Sequence, residues 1–280
     1  MKVLRGIILA GACTMAVMGT LSIPARAAEM PELKFGSVAM DIPVEMHRRL
    51  KPLTKYLADA LGQPVTLQLS PDLPAAIKEV SSGNVDLSYL TPVAYLKAKK
   101  SGNVQLVVKT VTLKTPSFQL MIVVKDGSPI KTVQDLTGKT FAFGDAAAIL
   151  QRAVVVGAGM PMEKLGEYKF IGHYDNIARG VLNGDFDAGV VKDTTAIKFK
   201  PEGLRVIYSS PPLPPYNIVA SSKMNPKLVE KVRHAFLKLD ARKPEHKAVM
   251  EALDPSYDGF VAVTDQEYDV VRDLIKPFEK

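Results

Sequence analysis

Polar side chains gather in this chain just past short apolar runs. Thr91 and Tyr95 follow Leu87-Ser88-Tyr89-Leu90, Asp145 follows Thr140-Phe141-Ala142-Phe143-Gly144, and Lys192-Asp193-Thr194 follow Ala188-Gly189-Val190-Val191. His173 stands just after the run 168–171. Runs with no wet face read as strands covered on both sides, and open α/β sheets bind ligands outside the carboxyl ends of their strands. The chemistry within reach is non-covalent recognition through hydroxyls, amides and charge, because signatures of turnover are missing. Gly138-Lys139-Thr140 lacks the earlier glycine of a phosphate loop, and Gly157-Ala158-Gly159 lacks the third glycine of a dinucleotide fingerprint and follows a helical pattern. There is no Gly-x-Ser-x-Gly and no His-Glu-x-x-His. His47, His234 and His246 fall on helical patterns without metal-ligand spacing. The expectation is therefore no catalytic residue, no metal and no cofactor.

Each candidate also has a plainer reading. Tyr95 is a ligand contact or an amphipathic core residue. His173 contacts a ligand, where its charge near neutral pH would gate an anion, or bonds to loop backbone. Lys192 and Asp193 contact a ligand or pair with each other. Arg152 offers an anion its fork of donors or lies on the surface.

The elements that must position these groups include a unit that occurs twice. Ala76-Ile77-Lys78-Glu79-Val80 leads to Gly83-Asn84-Val85-Asp86-Leu87, and Ile177-Ala178-Arg179-Gly180-Val181 leads to Gly184-Asp185-Phe186-Asp187-Ala188. Each is an amphipathic helix tail, a glycine stop in the left-handed region, then an aspartate entering an apolar strand. Two such units about a hundred residues apart imply two similar lobes with a cleft between them.

Taken in order, 33–38 reads as a strand and 43–61 as a helix with Met46, Leu50, Leu53, Leu57 and Leu61 on one face, kinked or split at Pro52. Strand 65–69, helix 71–82 and a short helix from Pro92 to about residue 100 follow. Residues 104–113 and 118–124 are long β-type runs joined by Lys114-Thr115-Pro116-Ser117, a crossing between lobes. The second α/β unit has strands at 140–143 and 168–171 and a helix over 146–156. The strand 204–208 is expected to return to the first lobe. Four prolines make 209–217 rigid and extended. A short strand 218–220, an amphipathic helix 226–239 and a final helix opened by the capping box Thr264-Asp265-Gln266-Glu267 complete the chain.

Composition narrows the setting. Lys2 and Arg5, the apolar run 6–23 and Pro24-Ala25-Arg26-Ala27 make a secretory signal peptide, cut after Ala27. Cys13, the sole cysteine, lies inside that run, so the mature chain holds no disulfide, thiol nucleophile or cysteine metal site. About 250 residues remain, enough for a sizeable core. The net charge of +7 falls to +4 without the signal. No basic stripe with interleaved aromatics marks a nucleic-acid binder, and a mild positive potential favours an anionic small molecule.

The order of motifs resembles a family. It runs Phe35-Gly36, Pro52-Leu53-x-x-Tyr56-Leu57, Gly83-x-Val85-Asp86-Leu87, Pro92-x-x-Tyr95, Ser128-Pro129-Ile130-Lys131, Asp135-Leu136-x-Gly138-Lys139-x-Phe141-Ala142-Phe143-Gly144-Asp145, Gly172-His173-Tyr174-Asp175 and Leu182-Asn183-Gly184-x-Phe186-Asp187-Ala188. This is similar to the solute-binding proteins of phosphate/phosphite/phosphonate ABC transporters over most of the mature chain. The resemblance implies the type II periplasmic-binding fold: two α/β lobes, two open sheets flanked by helices, and a hinged interlobe cleft. It implies lobe 1 over 28–114 plus 206–280 and lobe 2 over 115–205. It also implies an exported, monomeric, non-enzymatic protein that takes a small anionic ligand to a membrane ABC permease or, alternatively, to a sensor kinase.

In that family a turn rich in serine and threonine, after the Phe-x-Asp strand, holds the anion on a helix N-terminus. Here Ala146-Ala147-Ala148 stand in its place, and the segment up to Gly159 is about one helical turn short. The hydroxyl donors are gone, which leaves open another oxyanion, a less charged solute or a more apolar one. The expected ligand residues are Thr91, Tyr95 and Tyr216, with Asn217 beside it, on one side and Asp145, Ala146, Ala147, His173 and Lys192 on the other.

Overall fold

The computed structural model describes residues 31–38 and 43–279. The signal peptide expected over 1–27 lies outside the described residues. In chain order the first elements are β1 (Leu33–Val38), α1 (Pro43–Leu61), β2 (Val65–Ser70), α2 (Leu73–Ser82), β3 (Leu87–Leu90), α3 (Pro92–Gly102) and β4 (Gln105–Thr112). Then come β5 (Leu120–Lys125), β6 (Phe141–Phe143), α4 (Ile149–Gly157), β7 (Tyr168–Phe170), α5 (Tyr174–Asn183), β8 (Ala188–Lys192), α6 (Asp193–Phe199) and β9 (Leu204–Ser209). The chain ends with β10 (Asn217–Ala220), α7 (Pro226–Leu237), α8 (Pro244–Glu251), β11 (Tyr257–Val261) and α9 (Asp269–Ile275).

The strands form two mixed sheets, ordered β11-β4-β10-β3-β1-β2 and β7-β6-β8-β5-β9. Read from the β2 edge, the first sheet runs β2-β1-β3-β10-β4, and β7-β6-β8-β5-β9 repeats that order. In each, one antiparallel strand, β10 or β5, is inserted among strands that run the other way. The repeated sequence unit sits at the same place in both. Gly83 (φ 75°) and Gly184 (φ 84°) end α2 and α5 in the left-handed conformation, where a side chain would be strained. The aspartates that follow have one task. Asp86 accepts a hydrogen bond from the Lys34 amide at 2.8 Å, and Asp187 accepts one from the Thr140 amide at 2.8 Å. Each carboxylate thus captures the chain where it enters the neighbouring parallel strand, β1 or β6.

The core follows these layers. Met46, Leu50, Leu53 and Leu57 of α1 pack with Val232 and Phe236 of α7 on one face of the first sheet. Pro52 lies inside α1 without splitting it; its missing N–H costs one ladder bond, and the apolar face on both sides of it stays buried. Ile177, Val181 and Phe199 cover one face of the second sheet. A third cluster joins Val80 and Leu90 to Phe141, Phe143, Val154, Val271 and Ile275, so apolar contact runs from one sheet to the other.

Two expectations change. Leu204–Ser209 does not join the first sheet; it pairs antiparallel with β5 and forms the edge of the second. An apolar strand carries no label for its partner, and the short loop at Gly203 brings it back beside β5, where the Asp126 amide donates to the Gly203 carbonyl. The helix expected from Ala146 begins at Ile149, because the Ala148 amide donates to the Asp145 carbonyl and closes a tight turn first. Strand β11 and helix α8 had no counterpart in the sequence reading.

The C-terminal segment ties the lobes together. The capping box at Thr264 and Glu267 is formed. Within it and at the next residue, the Tyr95 hydroxyl and Arg272 both donate to Asp265, Lys109 pairs with Glu267, and the Asn217 amide donates to the Tyr268 hydroxyl at 3.0 Å. This holds the segment on the first sheet, while α9 packs on α4 beside the second. Burial raises the Asp265 carboxyl, but bonds from Tyr95 and Arg272 and the charge of Lys99 outweigh it, and the net shift is downward. A lowered folded-state value means stability that is present above the unfolded carboxylate value and is lost as pH falls through the folded one. Asp265→Asn is therefore expected to lower Tm at neutral pH, and its melting curve should converge with the wild-type curve as pH drops below the ordinary aspartate range. A constant Tm difference from pH 7 to pH 3 would contradict this assignment.

Candidate functional site

The carboxyl ends of β6 and β7 lie side by side. The Gly172 amide donates to the Gly144 carbonyl at 3.1 Å and the Ile171 amide to the Phe143 carbonyl at 2.9 Å. The buried Gly144 amide has no strand partner, and the Gln151 side-chain oxygen accepts from it at 2.7 Å. Gln151 sits in the first turn of α4 and is itself buried. There is no room for a side chain at 144: a Cβ would lie 2.7 Å from the Gln151 amide nitrogen and 2.8 Å from the Gly172 carbonyl oxygen. Burial pushes the nearby Tyr174 phenol up to about 12, with Gln151 among the neighbours that oppose the rise. One glutamine thus joins the end of β6 to the start of α4.

The 145–148 turn is exposed except at Ala148. Asp145 folds its carboxylate back to accept from the Ala147 amide at 2.8 Å, so the backbone amides of this turn already accommodate a negative group. Arg152 does not supply the missing donor. Its guanidinium donates to the Ala146 carbonyl at 3.0 Å and lies 5.8 Å from the Phe170 ring centre and 5.9 Å from that of Phe278. It supports the turn from its carbonyl side. Beside the turn runs a groove of about 850 Å³ between α2, α3, Ala147 and Ile149, and Lys78, Lys97 and Lys100 line it. These lysines bias the local potential toward anions.

The remaining expected residues divide. His173 is exposed and caps α5 with its carbonyl, which accepts from the Asn176 amide; its side chain makes no capping bond. Lys192 caps α6 from the end of β8 and carries its ammonium 5.7 Å from the Phe118 ring centre. Asp193 does not pair with Lys192: its carboxylate accepts from the Gln119 amide at 2.9 Å, while its own amide donates to the Gln119 carbonyl at 3.0 Å. The Gln119 side chain donates to the Ser210 carbonyl at 2.6 Å. The two segments that run between the sheets, 113–119 and 210–216, are thereby stitched together next to Asp193.

On the first sheet, Thr91 caps α3, its hydroxyl accepting from the Ala94 amide at 3.2 Å. Tyr95 is unavailable to a ligand in this structure. It is fully buried, its hydroxyl is committed to Asp265, and its ring packs on Tyr268 at 4.6 Å. One helical turn past Thr91 on a buried helix, its period served the core. Tyr216 lies flat on Tyr89, with ring centres 4.9 Å apart and 25° between planes, and the Tyr89 and Tyr257 hydroxyls bond each other. Sequence reading missed Gln151, Tyr174 and Tyr89. Gln151 had one available signal, a lone uncharged polar residue on the apolar face of a helix.

Comparison with known proteins agrees with this architecture. The family model for the periplasmic substrate-binding protein of phosphonate ABC transporters matches residues 35–268. A phosphate-import protein, PhnD, of Mycolicibacterium smegmatis is 26% identical over 263 residues, covering 82% of this chain and 82% of its own. Among solved structures, XAC2383 from Xanthomonas citri, bound to chloride ion, aligns with a TM-score of 0.73 at 19% identity over 87% of this chain and 95% of that one. PhnD1 from Prochlorococcus marinus, in complex with methylphosphonate, aligns with a TM-score of 0.70 at 18% identity over 89% and 98%. The chain belongs to the phosphonate-transporter periplasmic substrate-binding family, and its two sheets with flanking helices are the periplasmic-binding-protein fold.

The Gln151 bond gives a test of the site's construction. Gln151→Leu keeps the volume but leaves a buried N–H without an acceptor, an expected cost of about 1–3 kcal/mol. Denaturant unfolding should report that loss, and a variant as stable as the wild type would show that Gln151 does not organise the turn.

Proposed function

We propose that this protein captures a small oxyanion of the phosphate or phosphonate type between its two lobes in the periplasm and presents it to an ABC permease. The observation that carries the reading is the 144–148 turn. It opens at the carboxyl end of a β-strand onto a helix N-terminus, beside three lysines, and its Ala147 amide already donates to a carboxylate oxygen. Such an end carries partial positive charge worth about 0.3–1 kcal/mol to an anion. Family membership supports the same reading.

In this proposal the ligand's oxygens replace the Asp145 carboxylate at the Ala147 amide, and Asp145 turns outward. Ala146 contributes its backbone. His173 and Lys192 supply donors from the neighbouring strand ends, and Thr91 and Tyr216 close the site from the first lobe. Lobe 1 is the unit built on the sheet containing β1, and lobe 2 the unit built on the sheet containing β6, with β9 included in lobe 2. Segments 113–119 and 210–216 act as the hinge, and closure is a rotation about them. Export with loss of residues 1–27 and action as a monomer belong to the same proposal. No covalent step is involved: the lobes hold the solute and release it.

The missing hydroxyls set the expected affinity. A neutral hydrogen bond contributes about 1 kcal/mol net, so restoring one with Ala147→Ser should tighten methylphosphonate binding about fivefold. Isothermal titration of phosphate and methylphosphonate into both proteins is the test. The wild type is expected to bind at least one, and Ala147→Ser to bind it more tightly. If neither anion binds either protein, the reading falls.

A further inference from the structure

Tyr216 is the last residue of the proline-rich crossing segment. It immediately precedes Asn217, which pairs with Leu90 at the end of β3, so its ring sits at the carboxyl end of the first sheet's central strands. For a large aromatic it is unusually open, at 36% exposure. It is also braced from behind: the stacked Tyr89 ring is 6% exposed, and Tyr257, bonded to Tyr89, is 5% exposed. Burial raises all three phenols, and the charge of Asp254 adds to each. They are therefore neutral at any ordinary pH and form an uncharged aromatic wall.

From the second lobe, Tyr174 stands half-buried at the first turn of α5, near Tyr216. A stack fixed on one side and open on the other offers a flat apolar surface whose covering is favourable. The turn that would hold the anion has only backbone to offer, since its side chains are Ala146, Ala147 and Ala148.

Taking the anion-binding reading above as its premise, we propose that the preferred ligand is a phosphonate carrying a bulky apolar substituent, aromatic or branched. The phosphonate oxygens sit at the 145–148 turn and the substituent lies on the Tyr216 face between the lobes. Inorganic phosphate has nothing to place there, and a methyl group covers little of the ring. Selectivity therefore comes from the carbon end of the molecule, and the oxyanion end supplies only orientation.

The test is titration calorimetry with inorganic phosphate, methylphosphonate and phenylphosphonate on the wild type, Tyr216→Ala and Tyr216→Phe, with thermal melts confirming that each variant is folded. Phenylphosphonate is expected to bind the wild type about tenfold more tightly than methylphosphonate, the size of one aromatic contact plus its buried area. Tyr216→Phe should keep that advantage. Tyr216→Ala should remove it, weakening phenylphosphonate by a much larger factor than methylphosphonate. If methylphosphonate binds and phenylphosphonate binds no better, this inference is overturned and the anion-binding reading stands. The same holds if Tyr216→Ala weakens both ligands equally. If no phosphorus ligand binds the wild type, both fall together.

Discussion

In each parallel array an amide at the entry of one strand, Lys34 in β1 or Thr140 just before β6, is taken by a carboxylate from the neighbouring strand's entry. Asp86 does this for Lys34 and Asp187 for Thr140, both at 2.8 Å. A parallel pair has no hairpin to set its register, and a slip of one residue would turn every buried side chain to the wrong face. The aspartate fixes register at the point where the glycine stop has just released the chain from its helix. Leu87 then lies opposite Phe35 and Ala188 opposite Phe141. With register fixed at the entry, the strands end together, and the groups beyond their ends (Thr91 in one lobe, Gly144 and Lys192 in the other) are delivered to a common rim.

The second lobe's rim is shaped by a different necessity. Gly144 is too crowded for any side chain, and its amide is buried, so an acceptor has to come from α4. Gln151 provides it. The tight turn that the Ala148 amide closes on the Asp145 carbonyl delays the start of α4 to Ile149 and leaves 145–147 exposed. The C-terminal segment, meanwhile, is bonded to the first sheet through Asp265 and Glu267 and packs α9 against α4. Helix α4, which follows the 145–148 turn, is thus also the one in contact with the C-terminal clasp, and the proposed rotation would slide it along α9.

The layered organisation was legible because it rests on local signals: the glycine stops, the capping box at Thr264, apolar periodicity and the proline-rich crossing. What was not legible depends on partners distant in sequence. Residues 204–209 read as a β-type run with no mark of its partner, and only assembly shows that β5 takes them. Tyr95 shows the limit for single residues: its place after a strand end suited a ligand contact, but Asp265, 170 positions later, claims its hydroxyl. Strand β11 was hidden by Asp258 and Gly259 in its middle, which break the alternation that marks a strand. Gln151 and Tyr174 escaped notice because their roles arise only when β6, α4 and α5 converge.

In the site proposed above, the alanine turn alters how affinity can be distributed. An anion turn with side-chain hydroxyls gains about 1 kcal/mol from each bond it makes, and the gain is the same for every ligand with the same oxyanion. A turn with only backbone amides gives up that uniform term, and its own Asp145 competes for the amide of Ala147. Whatever remains has to be made elsewhere, and the open surface on the first lobe's rim is aromatic. Apolar burial contributes about 25 cal/mol per Å², so a ring laid on Tyr216 can replace more than one lost hydroxyl, but only for ligands that bring a ring. On that proposal, weakening the contact to the group that the ligands share leaves selectivity to the part of the ligand that differs.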